Sequence, residues 1–219
     1  MNVIGSHTAT RGVVVNKVLR NTFTLLSMTL LVSAAAAGFA MYTNAPPLSF
    51  FIVLGGYFGL LFVTTKLRNS VWGIASVFAL TGFMGYTIGP MLNAYLSLPN
   101  GSQLVMTALG GTAIIFLGLA GYALTTRKDF QFIGAFFFIG ILVAFLAGIA
   151  AFFFNIPGLS LAVSAMFILL MSGLILYQVS SIIHGGETNY IMATVTLYVA
   201  IYNLFTSLLH LLGAFGGDD

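Results

Sequence analysis

Apolar residues in this chain do not alternate with polar ones. They come in long unbroken runs, and the polar residues collect between them. Seven runs stand out, over residues Thr22–Tyr42, Leu48–Thr65, Val71–Leu96, Gln103–Thr125, Phe130–Phe154, Leu159–Ile183 and Tyr190–Phe215. Each approaches or exceeds the roughly 20 apolar residues that carry a helix across a bilayer. The breaks are short and hold turn-forming residues: "TNAPP", "KLRNS", "LPNG", "RKD", "NIPG" and "HGGETN". Proline, glycine and asparagine at these points end one helix and allow the chain to reverse. The longer runs predict tilt or overhang into the interface. The pattern therefore predicts an all-α, polytopic membrane protein, a bundle of seven transmembrane helices.

Composition agrees. The chain is 59% hydrophobic and 5% charged, against roughly 25% charged residues in soluble domains. Zero cysteines exclude disulfides, thiolate metal sites and cysteine nucleophiles. The net charge of +3 rests on seven scattered Lys and Arg, too few to track a nucleic-acid backbone.

Those few charges set an orientation. Arg11, Lys17 and Arg20 precede the first span, Lys66 and Arg68 follow the second, and Arg127 and Lys128 follow the fourth. With the N-terminus in the cytoplasm, all seven fall on the cytoplasmic side and none on the other. That split follows the positive-inside rule. It places "HGGETN" inside and Asp218 and Asp219 outside. The first span has a basic start and a small-residue end, as a secretory signal has. Its apolar run is long for one, so it is read as a retained helix. The domain reading is a flexible cytoplasmic tail over residues 1–20, a transmembrane domain over 21–215 and a short external C-terminus over 216–219.

Glycine spacing bears on how the helices meet, because helices in lipid associate by close backbone approach. Gly55 and Gly59 form a GxxxG in span two. Gly82, Gly85 and Gly89 share a face of span three, and Gly110, Gly111, Gly118 and Gly121 recur in span four. The expectation is packing inside the bundle. Gly89–Pro90 is the one place where a helix break would suggest a hinge or pore.

Chemistry is sparse. Aspartyl proteolysis needs two acids in one site, and Asp129 is the sole aspartate before the C-terminal pair. No HExxH occurs. His7, His184 and His210 are spread over the tail, a turn and the outer end of span seven, which argues against a shared metal site. Ser207 and His210 lie three apart on one helix with nothing to orient the imidazole. The pattern predicts no enzyme and no cofactor.

In "HGGETN", Gly185 and Gly186 suit the left-handed backbone that ends a helix. His184 sits at a carbonyl terminus, and Glu187 or Thr188 is expected to cap the next helix. Polar residues within the spans carry more weight, since lipid penalises them. Gln178 lies near the inner end of span six. Thr196, Asn203, Ser207 and His210 fall on one face of span seven, with Ala200 between the first two. That stripe is expected to face the bundle interior, as interhelical hydrogen bonds or as a solvated path.

Four stretches carry a resemblance: "KVLRNTFTLLSMTL", "GFMGYTIGPMLNAYL", "YALTTRKDF" and "IIHGGETNYIMATVTLYVAIYNLF". Through them the chain resembles the Bax inhibitor-1 family of seven-helix membrane proteins, over most of its length. The resemblance, to a bacterial branch of that family, implies an inner-membrane protein with a periplasmic C-terminus. It also implies partners: the membrane-bound ATP-dependent FtsH protease, whose action on membrane substrates it would restrain, the prohibitin-like complex that accompanies it, and membrane lipids. Family members that leak calcium resemble one another in two aspartates on helices six and seven. The matching positions here are Gln178 and Ala200, and neither ionises. The resemblance therefore leaves two readings, a modulator of a protease and an ion leak without the pH latch.

Overall fold

A computed structural model of the chain describes the backbone of residues 3–216 and the side chains of residues 13–216. The C-terminal aspartates and the side chains of His7 and Arg11 lie outside the described residues. Regular structure is helical throughout what is described: α1 (Val3–Tyr42), α2 (Phe50–Leu67), α3 (Val71–Leu96), α4 (Gly101–Thr126), α5 (Gly134–Phe153), α6 (Pro157–His184) and α7 (Tyr190–Phe215), with one short 3-10 turn at Gln131–Ile133. Seven helices are long and apolar enough to cross a membrane, the first of them from Val13. Six of them coincide with the expected apolar runs to within a few residues, whereas the first begins at Val13, nine residues ahead of the expected Thr22. The expected boundary at residue 20 has no break in the backbone, because α1 is helical from Val3. Nor are its last residues loose: Val18 is buried against Ile182 and Ala193, with Leu19 packed beside them.

Four helix ends turn on a left-handed residue: Asn44 (φ 49°), Arg127 (φ 50°), Asn155 (φ 49°) and Gly185 (φ 78°). Asparagine and glycine take this conformation at little cost. Arginine does not, and Arg127 costs about 1 kcal/mol there. Its amide still closes the last turn of α4 on the Ala123 carbonyl at 3.0 Å. Pro90 does not break α3, which runs through it to Leu96. The expected hinge at Gly89–Pro90 is thus a continuous helix. Gly85 and Gly89 have another use, since they let α3 close onto α1. A β-carbon at Gly89 would sit 2.5 Å from the Ala40 Cβ, and one at Gly85 would strike the Ser33 carbonyl.

The other glycine motifs differ from expectation. A β-carbon added at Gly55 or Gly59 would meet no atom of another helix within 4 Å, and the same holds at Gly110, Gly118 and Gly121. In α2 it is Gly56 that lies against a neighbour, the ring of Phe83. Only Thr64 of α2 is buried. GxxxG spacing marks a face where close approach is allowed, and here that face is not used within the chain.

The chain forms two compact units. The first holds α1, α2 and most of α3 to Asn93, together with Ile182–Tyr198 from the end of α6 and the start of α7. The second runs Ala94–Ser181 and resumes at Val199. Large apolar side chains on α5, such as Phe136, Phe138, Ile139 and Val143, are exposed. Water would make such a face costly, and lipid does not.

Candidate functional site

Polar groups gather at two places in the first unit and at several in the second. The α6–α7 turn comes first. α6 ends at His184, and Gly185 adopts the left-handed conformation expected of a helix-ending glycine. The cap of α7 is neither Glu187 nor Thr188. It is Asn189, whose Oδ1 accepts from the amides of Ile191 (3.0 Å) and Met192 (3.1 Å). Glu187 serves one step earlier, its Oε1 accepting from the Asn189 amide at 2.7 Å. The cap slips to Asn189 because Glu187 is spent folding the turn. The Asn189 amide group then donates to the Arg68 carbonyl (3.0 Å) and to Asn69 Oδ1 (2.9 Å). One side chain thus caps a helix and ties the α2–α3 turn to the α6–α7 turn. Lys17, Arg20, Lys66 and Arg68 are all exposed.

Deeper in the first unit, Tyr198 is the largest fully buried side chain. Its hydroxyl lies 2.6 Å from Ser33 Oγ on α1 and donates to the Thr81 carbonyl on α3 at 3.2 Å. Since that bond uses its one proton, the Ser33 hydroxyl is the donor to Tyr198. Thr194, one turn earlier, donates to the Tyr190 carbonyl at 2.7 Å and approaches the Thr22 carbonyl at 3.3 Å. These contacts join α1, α3 and α7 where lipid supplies no competing partner. Neither Tyr198 nor Thr194 belongs to the stripe read from the sequence. Within the stripe, Thr196 is half-buried.

In the second unit, Asn203 donates back to the Val199 carbonyl at 2.8 Å, within its own helix. Ser207 is buried. His210 Nδ1 lies 2.8 Å from Ser164 Oγ on α6, and Ser164 donates to the Ser160 carbonyl at 3.1 Å. Which of the two donates is set by the imidazole tautomer. The pair is a tie between helices, joining residues 46 positions apart. At the other end of α6, Ser180 accepts from the Phe130 amide and donates to the Lys128 carbonyl, both at 3.0 Å. That anchors the α4–α5 connection, from which Arg127 and Lys128 are exposed. Asn100 binds the Gly216 carbonyl beyond α7.

Gln178 and Ala200 are both buried, at 4% and 0% exposure. The Gln178 side-chain nitrogen has no protein partner. Among the described residues, no three His, Asp or Glu side chains group as metal ligands. The described polar ties run from helix to helix and from turn to turn.

An all-helical chain with seven apolar spans, exposed apolar faces and polar ties between helices is a multi-pass membrane protein. The family described as inhibitor of apoptosis-promoting Bax1 matches residues 15–217. The chain belongs to this Bax inhibitor-1 family. It is 55% identical over 205 residues to an uncharacterized protein of Pseudomonas aeruginosa, covering 94% of this chain and 92% of that one. It is 50% identical over 211 residues, 96% of each chain, to the Escherichia coli K12 protein named "Modulator of FtsH protease YccA". The same identity and coverage hold for the Escherichia coli O6:H1 protein named "Inner membrane protein YccA".

Proposed function

We propose that this chain is an inner-membrane protein that binds the ATP-dependent FtsH protease and slows its degradation of other membrane proteins. The observation that carries this is the 50% identity, over 96% of both chains, to a relative named for modulating that protease. At that level, without large insertions, bundle and turns are expected to carry over together.

The proposal includes an orientation, with the N-terminus cytoplasmic and the C-terminus periplasmic. All seven Lys and Arg support it, lying in the N-terminal half of α1, at the end of α2 or just after α4. The protease partner would then meet the N-terminal segment and the α2–α3, α4–α5 and α6–α7 turns. Residues 1–20 are the segment proposed as its handle, and the prohibitin-like complex is proposed as a further neighbour.

The test is co-purification of the tagged full-length chain with FtsH from membranes, beside the lifetime of a membrane substrate of FtsH. The expected result is association and a substrate lifetime that lengthens with the level of this chain. No association and an unchanged lifetime overturn the proposal. A C-terminal reporter fusion active only in the cytoplasm overturns the orientation.

A further inference from the structure

A cavity of about 150 Å³ opens beside the α6–α7 turn, within the first unit. Val14, Val15, Val18 and Ile182 give it apolar walls, and Gly185, Glu187 and Thr188 complete it. Part of the wall is fixed, since Val18 and Ile182 are buried in one packed cluster. Val14 is 48% exposed, so the cavity is open on that side.

Its chemistry is uneven. A carboxylate offers about four acceptor sites, and Glu187 commits Oε1 to the Asn189 amide. The remaining acceptor capacity of Glu187 lines a cavity whose other walls are mainly apolar, where a negative charge attracts a cation with hydrogen-bond donors. On α1, Lys17 falls between Val14 and Val18 in sequence and is exposed. Lys17 thus stands on the helix that supplies the cavity's valine wall, one residue from Val18 and three from Val14. The site also lies at a helix-to-helix turn, the level at which a spanning bundle meets lipid headgroups.

We propose that this cavity binds the headgroup of an aminophospholipid. The primary ammonium donates to Glu187, the phosphate lies toward Lys17, and the start of an acyl chain runs along Val14 and Val15. A headgroup without an amine would bring only negative charge to Glu187. A trimethylated ammonium has no N–H to donate. The cavity has room for a group of a few heavy atoms and none for a helix of a partner protein.

The test uses the purified, delipidated full-length chain in neutral detergent. Native mass spectrometry reads the lipid retained from phosphatidylethanolamine, phosphatidylcholine and phosphatidylglycerol with matched acyl chains. The wild type is expected to retain phosphatidylethanolamine about tenfold over the others, the factor one charge-assisted hydrogen bond supplies. Glu187→Gln should remove that preference while sparing the turn, because its amide oxygen can still accept from Asn189. Val15→Trp, which fills the cavity without touching a charge, should lower phosphatidylethanolamine retention with Glu187 intact. Equal retention of the three lipids by the wild type overturns the proposal. So does a preference that survives both substitutions. Displacement of the bound lipid by a lysine-bearing peptide, with the peptide retained more strongly, would assign the cavity to a protein partner and overturn it as well.

Discussion

At the scale of single residues, the clearest contrast lies among the glycines. A β-carbon at Gly85 would sit 2.7 Å from the Ser33 Cα and closer still to its carbonyl, whereas one at Gly55 or Gly59 would meet nothing. Gly85→Ala is therefore expected to destabilise the protein by about 1–3 kcal/mol, because backbone cannot move aside as a side chain can. Gly55→Ala and Gly59→Ala should change stability by less than about 0.5 kcal/mol. Thermal unfolding in detergent would compare them, and a similar loss at all three positions would contradict the packing described. The sequence made these glycines look alike. Spacing shows where close approach is allowed, and only the neighbouring helix decides whether it happens. Tyr198 was hidden for a related reason. A tyrosine in an aliphatic run reads as an interfacial or lipid-facing residue, and its partners Ser33 and Thr81 lie 165 and 117 positions away.

At the scale of elements, the α6–α7 connection does more than reverse the chain. Asn189→Ala removes the cap of α7 and both ties to the α2–α3 turn, an expected loss of about 1–2 kcal/mol. Thr188→Ala should cost far less, since Thr188 is exposed. Thermal shift and protease sensitivity of the turn would separate the two, and an equal cost would reassign the cap. Helix number and approximate limits were legible because seven apolar runs and six turns leave little freedom. The capping residue was not. Glu187, Thr188 and Asn189 are all acceptable at a helix start, and the choice depends on the Glu187 carboxylate being used by the turn. Ser164–His210 was equally out of reach, for local spacing offered His210 a nearer serine, Ser207.

At the scale of the whole molecule, the absent latch gives the sharpest test of the alternative, ion-leak reading. Gln178 and Ala200 are buried and neutral. Calcium flux into liposomes should stay flat between about pH 6 and 8, with His184→Ala and His210→Ala as controls for the two histidines. Replacing both positions by aspartate places two carboxylates in buried sites. If the two positions face each other as in the calcium-leaking relatives, the Gln178→Asp, Ala200→Asp double variant should gain a pH response. A steep wild-type response that survives the histidine controls would contradict this. Family and membrane class were legible from the chain, because they rest on motifs and hydropathy spread over its whole length. The polar ties were not, since they join residues from distant helices.

The first unit is discontinuous, and that has a consequence for how the protein is made. Its α1, α2 and α3 leave the ribosome early, but the Arg68 carbonyl waits 121 residues for Asn189, and Thr81 waits 117 for Tyr198. At roughly 5–20 residues per second, that delay is on the order of ten seconds. During it the first three helices stand in the bilayer with open polar groups. A chain stalled before α7 would carry that unfinished surface for good, so the last hairpin to be synthesised is the one that closes the first.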